Sequence, residues 1–361
     1  MKFMWAIAFT AVMAMVSAAS VQAAEWGLKQ GSVDLKSAGQ LAFGPDGVLF
    51  IGDSKAAVIH AIATGGEAPN ALVNYNLQDL EAQLVKTCGA AAQVSDMAAN
   101  PQTQELFLSV TAGDKPQIVR VSRSGELSLV DLSNVKCSMV ELPNAPEDKV
   151  FTSRGRSRNN RDSAITDLAY HEGKVMVSGL SNATASSTIR EVVFPFAKAD
   201  GGVSVEIYHG AHGRYEDSAP VQTFVPFNIN GEANLLAGYT CTPLVKFPVS
   251  ELTPGEDKVR GVTVAELGNH NRPLDMIVYE KDGKSWLLMA NSARGVIKVS
   301  TENIERSEGI SEKVKGEVAG QKYDTLAFLG DVTQLDRLGA HQAVVMTEND
   351  GTLAIKTFEL P

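Results

Sequence analysis

The chain has 361 residues, of which 44% are hydrophobic and 20% are charged, and its formal net charge is −10. This hydrophobic content excludes an intrinsically disordered protein, and the length is enough to bury a sizeable core. The acidic balance argues against nucleic-acid binding, because a protein that neutralises phosphates is normally basic. The sequence also lacks a Walker loop, a His-Glu-x-x-His metalloprotease motif and a Gly-x-Ser-x-Gly nucleophile motif.

The N-terminus has the pattern of an export signal. Lys2 precedes an apolar stretch from Met4 to about Val16, and a run of small residues follows it and ends at Ala23. We therefore predict that residues 1–23 are a cleaved signal peptide and that the mature protein is periplasmic or secreted. No later segment is apolar enough to cross a bilayer, so no membrane insertion is expected.

Export bears on the three cysteines, because disulfides persist in an oxidising compartment. Cys88, Cys137 and Cys241 allow one disulfide and leave one thiol over. The sequence leaves the pairing open. It favours Cys88 with Cys137, since both lie in the long connections around one repeat unit.

A recurring pattern of strand, turn and strand organises the chain. Each unit is rich in β-branched and aromatic residues, and Gly or Pro separates its strands. The equivalent first-strand positions are Gln40, Asp96, Asp167, Thr223, Asp275 and Gln334. Six such units predict an all-β fold, a six-bladed β-propeller that occupies residues 24–361 as one domain. A seven-bladed ring is the alternative, because the interval from Asp96 to Asp167 is the longest.

The two chain ends are expected to complete one blade together. The mature residues before Gln40 and those after Gln334 add up to about one blade. We therefore predict that a strand near Trp26–Leu35 pairs with the final hairpin before Pro361. Such closure removes the exposed edges that an open array of sheets would have.

The segment from Leu41 to Asp53 carries a resemblance to known propellers. It reads LAFGPDGVLFIGD, which is similar to the blade motif of NHL-repeat proteins, the SMP-30/gluconolactonase family and soluble quinoprotein sugar dehydrogenases. The Asp-Gly pair is typical of a two-residue turn between strands. The resemblance implies the propeller fold, and it brings calcium and a quinone cofactor into consideration.

Three acids stand at the head of predicted innermost strands, where side chains would point toward the channel mouth. They are Asp96, Asp167 and Asp275. A ring of carboxylates there could bind Ca²⁺, which prefers oxygen ligands. The same acids could instead accept hydrogen bonds from backbone N–H groups of neighbouring blades, since buried carboxylates need such partners.

Several arginines fall in loops predicted to lie on one face of the ring. Residues 153–163 form an arginine-rich segment with Arg154, Arg156, Arg158 and Arg161, and other loops hold Arg272, Arg294 and Asn291. Guanidinium groups suit the recognition of carboxylates or phosphates by paired hydrogen bonds. These residues predict a site for an anionic small molecule or an acidic patch of a partner protein. The alternative is a solvated surface insertion.

Histidines offer two further candidates. His270 directly precedes the strand of Asp275, so it could act as a general base near a bound ligand. Soluble quinoprotein dehydrogenases, which one repeat resembles, also have a base histidine near the start of an inner strand. His209 and His212 form a His-x-x-His pair that suits a transition metal. No third ligand is visible in the sequence, which favours an ordinary surface loop.

Three functions are compatible with these residues. The first is an exported propeller that binds a small, anionic ligand or a partner protein through its loop face. The second is a Ca²⁺-dependent lactonase or hydrolase of the SMP-30 type, with Asp96, Asp167, Asp275 and Asn291 as candidate residues. The third is a quinone-dependent oxidoreductase with His270 as the base and Arg272 near the cofactor.

Overall fold

The described part of the chain is almost entirely β-structure. The computed structural model describes residues 26–361 except 154, 183–185, 242, 256–257, 307 and 316–317. The predicted signal peptide, residues 1–23, lies outside these residues. Among the helices that the structure describes, none is long and apolar enough to cross a membrane.

The first part of the chain contains ten strands and the only α-helix among the described residues. These elements are β1 (Lys29–Gly31), β2 (Leu41–Phe43), β3 (Val48–Asp53), β4 (Val58–Ala63), β5 (Asn76–Leu77), α1 (Leu80–Cys88), β6 (Ala92–Ala99), β7 (Leu106–Ala112), β8 (Lys115–Val121), β9 (Leu127–Leu129) and β10 (Val135–Glu141). The helix is amphipathic. It buries Leu80 and Leu84, which lie four residues apart on one face.

The rest of the chain continues as strands joined by short turns. The strands of the middle part are β11 (Val150–Ser153), β12 (Arg156–Asn159), β13 (Asp167–His171), β14 (Lys174–Ser181), β15 (Ser186–Val193), β16 (Val203–His209), β17 (Arg214–Glu216), β18 (Thr223–Ile229), β19 (Glu232–Gly238), β20 (Pro243–Pro248), β21 (Val259–Arg260) and β22 (Val262–Leu267). The last strands are β23 (Pro273–Lys281), β24 (Lys284–Asn291), β25 (Gly295–Ser300), β26 (Val318–Gly320), β27 (Tyr323–Thr325), β28 (Val332–Leu338), β29 (Gln342–Asn349) and β30 (Thr352–Glu359).

Apart from the two-stranded sheet of β11 and β12, the described strands form six sheets, which we call blades 1 to 6 in the chain order of their innermost strands. From the inside outward, blade 1 has the order β2-β3-β4-β10-β1, blade 2 has β6-β7-β8-β9, and blade 3 has β13-β14-β15-β16-β17. Blade 4 has β18-β19-β20-β22-β26, blade 5 has β23-β24-β25-β27, and blade 6 has β28-β29-β30-β5. Strand β21 adds to β16 in parallel, and β11 pairs only with β12. The predicted six-bladed β-propeller is confirmed.

The blades do not follow one another around the ring in chain order. The innermost strands contact each other in the order β2, β13, β18, β23, β28, β6 and back to β2. Blade 2 therefore lies between blades 1 and 6. Six hydrophobic clusters of described residues fill the junctions between adjacent blades, and each takes side chains from the two sheets that flank it. Packing of sheet against sheet is thus what holds the ring together.

The ring closes through a different segment from the one predicted. Strand β1, inside the predicted Trp26–Leu35 segment, pairs with β10 at the outer edge of blade 1. The C-terminal strand β30 pairs instead with β5, with Ile355 opposite Leu77. The predicted pairing of the chain ends is therefore wrong, although a segment from the N-terminal part still completes the last blade. The physical reason is burial, because Tyr75 beside β5 is 3% exposed whereas the residues of β1 are all exposed.

The longest interval between innermost strands does not contain a seventh blade. Between β6 and β13 the chain completes blade 2, then returns to blade 1 as β10, and then forms the separate hairpin of β11 and β12. The seven-bladed alternative is excluded by this arrangement. The extra residues supply an outer strand to a blade that began before blade 2.

The Asp-Gly turn predicted in the first repeat is present. Asp46 and Gly47 have φ values of 51° and 72°, so both occupy the left-handed region that this type of two-residue turn requires. The turn joins β2 to β3, and the Gly44 N–H donates to the Val48 carbonyl at 2.8 Å. Strand β3 is buried along its whole length.

The cysteines do not form the favoured disulfide. Among the described residues, no disulfide joins Cys88, Cys137 or Cys241 to another cysteine. Cys88 ends helix α1 beside blades 2 and 6, whereas Cys137 lies on β10 of blade 1. The two residues that the sequence favoured as partners therefore belong to different parts of the ring.

Candidate functional site

Each predicted channel aspartate joins two adjacent blades. Oδ2 of Asp96 accepts the Leu41 N–H of blade 1 at 2.7 Å. Oδ2 of Asp167 accepts the Phe224 N–H of blade 4 at 2.6 Å, and Oδ2 of Asp275 accepts a backbone N–H of blade 6 at 2.8 Å. All three acids lie on innermost strands and line the channel, with Asp167 at the start of β13 and Asp96 in the middle of β6. Their hydrogen bonds agree with the alternative interpretation, in which the acids accept backbone N–H groups of neighbouring blades.

The second oxygen of each of these carboxyl groups is also engaged. Oδ1 accepts the N–H of the residue that follows the acid, at distances of 2.7–2.8 Å. Every acid therefore accepts one bond within its own strand and one from the next blade. Buried carboxyl groups are tolerated when they have such partners.

A fourth acid, Asp336, plays the same role in blade 6 and was missed in the sequence. Its carboxylate accepts the N–H groups of Arg337 and of Ala99, both at 2.7 Å. The repeat spacing placed Gln334 at this position, two residues earlier. Because side chains alternate along a strand, a shift of two residues keeps the side chain on the channel face. The sequence did contain a signal for this residue, because Asp336 is an acid on the same face of the strand as Gln334.

Burial dominates the ionisation of the four channel carboxyl groups. It raises the pKa of Asp96 to about 8, that of Asp167 to about 7 and that of Asp336 to about 6, although the backbone N–H groups act in the opposite direction. Burial, with the neighbouring charge of Asp96, also raises the pKa of Asp275 well above its ordinary value. Like charges that share a low-dielectric channel cannot all ionise easily.

The channel carboxyl groups do not fit a calcium site. Ca²⁺ needs about six to eight oxygen ligands that are free to turn toward it. Here each oxygen of Asp96, Asp167 and Asp275 already accepts a backbone N–H. Among the described residues, these three acids are not gathered into a group whose ligand atoms all lie within 4.8 Å of one another. We therefore derive no calcium chemistry from the channel.

Above the aspartates, the channel opens into a large cavity, which we call the mouth cavity. Its volume is about 940 Å³, compared with about 470 Å³ for the channel cavity below it. Uncharged polar side chains at the heads of innermost strands line it, namely Gln40, Ser95, Thr166, Gln222 and Gln334. Loops of blades 5 and 6 form most of the rest of its wall. This concave polar surface at the end of the channel is the candidate site.

Two of the predicted arginines, Arg272 and Arg294, line the mouth cavity. Neither side chain forms an ion pair with a carboxylate among the residues that the structure describes. Arg294 is half-buried, and its Nη1 is fully buried and has no hydrogen-bond partner among the described residues. The guanidinium group lies against Gly268, where an added Cβ would come within 2.1 Å of Nη2. A glycine at 268 therefore makes room for this cation.

Asn291 lines the same cavity but serves mainly to position its loops. The side chain is 2% exposed. Its Nδ2 donates to Oδ1 of Asn271 at 3.0 Å, and its Oδ1 accepts the Ala293 N–H at 3.1 Å. Asn271 in turn donates to the Gly268 carbonyl at 2.7 Å. This network joins the loop of Arg272 to the loop of Arg294.

Of the arginine-rich segment, the three described arginines do not line the mouth cavity. Arg154 lies outside the described residues. Arg156 and Arg158 are exposed on β12, whose only pairing is with β11. Arg161 is held elsewhere, because its Nε donates to the Pro146 carbonyl at 2.5 Å. From this segment, Asp162 and Ser163 line the cavity instead.

Carboxylates accompany the arginines around the mouth cavity. Asp162, Asp331, Glu348 and Asp350 all line it. Asp162 is paired with Lys55 at 2.7 Å, and Asp331 accepts a hydrogen bond from Asn349 at 3.2 Å. The described wall of the mouth cavity therefore carries charges of both signs. The guanidinium groups come from blade 5, and the carboxylates come from the segment before blade 3 and from the segments around blade 6.

His270 lies outside the mouth cavity. It is exposed, and its φ of 59° places it in a left-handed turn before β23. The turn brings the neighbouring Arg272 to the cavity wall but leaves the imidazole in solvent. The arrangement implied by the quinoprotein resemblance, with this histidine as a base beside a cofactor, does not fit, and we derive no quinone chemistry from it.

The chain matches no protein-family model and no curated protein. Among solved structures, it is similar to one described as an oxidoreductase (glucose dehydrogenase) of Thermus thermophilus. The identity is 11%, the match covers 92% of this chain and 100% of that chain, and the TM-score is 0.34. The PQQ-bound aldose sugar dehydrogenase of Streptomyces coelicolor gives 11% identity, coverages of 92% and 97%, and a TM-score of 0.29. A streptogramin B lyase gives 9% identity, coverages of 92% and 97%, and a TM-score of 0.35.

These values are too low to transfer an activity, and a shared fold does not imply a shared function. The structure defines the chain as a six-bladed β-propeller with a large polar cavity at one end of its channel. Its function has to be argued from the residues of that cavity.

Proposed function

We propose that this protein is an exported propeller that binds a small molecule carrying a carboxylate or phosphate group in the mouth cavity. The observation that carries the proposal is Arg294, a half-buried guanidinium that lines the cavity and has no carboxylate partner within the described part of the chain. A half-buried cation without a counter-ion is poorly compensated, and an anion bound in the cavity would neutralise the charge of this guanidinium group. Arg272 lines the same wall and would supply the second cation.

The surrounding carboxylates favour a small ligand over an acidic protein surface. Glu348 and Asp350 belong to the part of the cavity wall that blade 6 forms. An extended acidic patch would meet these carboxylates as well as the guanidinium groups, and like charges repel. A single anionic group that fits inside the cavity can contact the arginines while its uncharged part faces the carboxylates and the glutamines. The preferred ligand therefore combines one anionic group with hydroxyl or amide groups.

Binding can be tested with glycerol 3-phosphate, inorganic phosphate and succinate, with glycerol as the neutral match. Isothermal titration calorimetry on the mature chain should detect glycerol 3-phosphate and not glycerol at the same concentration. Arg294→Gln and Arg272→Gln should each weaken binding about ten- to a hundredfold, which is the usual range for a charge-assisted hydrogen bond. Raising the salt concentration should weaken binding further.

Arg123→Gln is the matched control. Arg123 is exposed in the turn after β8, on the opposite side of the ring from the strand heads that line the cavity. This variant should bind as the wild-type protein does. Equal binding of glycerol and glycerol 3-phosphate, or unchanged affinity in Arg294→Gln, would overturn the proposal.

A further inference from the structure

The hairpin of β16 and β17, at the outer side of blade 3, brings two histidines and a glutamate together. His209 Nδ1 lies 3.0 Å from Oε2 of Glu216, and His212 Nδ1 lies 2.8 Å from Oε1 of the same carboxylate. The two imidazole rings are 3.9 Å apart between centroids. Potential ligand atoms of all three residues lie within 4.8 Å of one another. This cluster is separate from the mouth cavity, which none of the three residues lines.

The sequence showed the two histidines but not the third ligand, and the strand register explains why. Residues 209 and 214 are directly opposite in the hairpin, and Glu216 lies opposite Ile207. Side chains two residues apart on a strand share a face. His209 and Glu216 therefore point to the same side of the hairpin, while the intervening turn folds His212 back over them.

Backbone hydrogen bonds hold the turn in this shape. The N–H groups of His212 and Gly213 donate to the His209 carbonyl at 3.1 and 2.8 Å. A residue of blade 4 also contacts the turn, because the carboxylate of Glu266 accepts the Gly210 N–H at 2.5 Å. The ligand positions are therefore fixed by the fold before any ion arrives, which reduces the entropy lost on binding.

We propose that His209, His212 and Glu216 bind one divalent transition-metal ion of the zinc type. Two imidazole nitrogens and one carboxylate oxygen are a ligand set typical of zinc, at bond lengths of about 2.0–2.2 Å. Ligand atoms around one tetrahedral ion are then roughly 3.3 Å apart, close to the separations observed between Nδ1 and carboxylate oxygen. The borderline character of imidazole selects zinc, copper, nickel or cobalt over calcium or magnesium.

The site would leave one coordination position open to solvent. His209 is 3% exposed, but the side chain of His212 is 47% exposed. Arg214, which donates from Nε to Oε1 of Glu216 at 2.9 Å, is the present cationic partner, and its side chain is 71% exposed. An exposed arginine can turn into solvent when an ion replaces it. Three protein ligands with a fourth position for water is the pattern of exchangeable or catalytic zinc sites.

Zinc itself is the probe that tests the site. The mature chain is treated with a chelator, the chelator is removed, and Zn²⁺ is added under reducing conditions during calorimetry. One equivalent should bind and should raise the melting temperature, as expected for an ion that binds only the folded state. His212→Ala and Glu216→Gln should each weaken binding at least tenfold. Both residues are more accessible than His209, so these variants are the better test of binding as distinct from folding.

Two controls distinguish this site from other side chains of the protein that could bind the metal. His270→Ala removes an exposed histidine on another loop and should leave both the stoichiometry and the affinity unchanged. With Co²⁺ in place of Zn²⁺, the visible spectrum should indicate nitrogen and oxygen ligands without a thiolate band, which excludes cysteine ligands. Binding of less than one equivalent, full affinity in both ligand variants, or a thiolate band would overturn the proposal.

Discussion

The carboxylate of Asp96 in blade 2 accepts the backbone N–H of Leu41 in blade 1 at 2.7 Å, and so joins the chain's first innermost strand to a blade formed later in the sequence. The same bond recurs from blade 6 to blade 2, from blade 3 to blade 4 and from blade 5 to blade 6. Four of the six junctions in the ring are thus fastened by one aspartate each, in a channel where burial raises the pKa of every one of them.

Replacement of one channel aspartate should change how stability depends on pH. Folded-state pKa values of about 6 for Asp336, 7 for Asp167 and 8 for Asp96 lie above the unfolded value of about 3.9. The folded state therefore binds more protons in this window, so the free energy of unfolding falls as the pH rises toward 8. In Asp96→Asn, the decrease in the free energy of unfolding near pH 8 should be smaller than in the wild-type protein. Urea unfolding at pH values from about 5 to 9 measures this difference.

Asp131→Asn serves as the control for that experiment. Asp131 is exposed, and hydrogen bonds from Ser133 lower its pKa, so it titrates below the tested window. Its substitution should leave the slope of stability against pH unchanged across that window. The interpretation fails if Asp96→Asn retains the wild-type slope at the alkaline end.

Loss of the Tyr75 side chain should destabilise the closure of the ring. Tyr75 is 3% exposed, its N–H donates to Oγ1 of Thr357 in β30 at 2.6 Å, and its hydroxyl donates to the Gln104 carbonyl at 2.8 Å. Tyr75→Ala should lower the free energy of unfolding by about 3–5 kcal/mol, as other buried aromatic truncations do. Tyr75→Phe removes only the hydroxyl bond and should lose about 1 kcal/mol. Similar losses for the two variants, measured by chemical denaturation, would contradict this account.

Lys246 should be essential to the order of the loop that follows β25. The side chain is 7% exposed, and its Nζ donates to the carbonyl groups of Ile304, Glu305 and Arg306 at 2.9–3.0 Å. Lys246→Met keeps the approximate length but removes all three donors. This substitution should lower the free energy of unfolding by about 2–3 kcal/mol, because it removes charge-assisted hydrogen bonds to carbonyl groups. It should also speed hydrogen exchange in residues 301–306. The exposed Lys284→Met should change neither quantity, and unaltered exchange in Lys246→Met would refute the role.

Removal of one carboxylate from the mouth cavity should strengthen the binding of an anion. Glu348 is exposed and lines the same cavity as the two arginines. Glu348→Gln removes a repulsive charge, so glycerol 3-phosphate should bind about two- to fivefold more tightly at low salt, and the gain should shrink as salt screens the charges. The comparison is Glu126→Gln on the opposite face, which should have no effect. Weaker binding in Glu348→Gln would show that this carboxylate contacts the ligand favourably.

The alternation of apolar residues and the Asp-Gly turn were enough to predict six β-units and a propeller. Both signals are local, because a strand buried on one face and a turn with positive φ each need particular residues within a few positions. The heads of the innermost strands were also predictable at Asp96, Asp167 and Asp275. Arg272 and Arg294 line the mouth cavity, and their position relative to the strands follows from the repeat.

Only the tertiary structure decided which distant segments meet. Strand β5 completes blade 6 instead of the segment near Trp26–Leu35, because Tyr75 can be buried there. Asp336 and Glu216 gain their roles from the register between strands, which a single sequence does not display. His270 is left in solvent by a left-handed turn. The local sequence pattern determines where each strand forms. The order of the blades depends on which apolar segments of the whole chain are buried together, so it cannot be predicted from any short stretch of sequence.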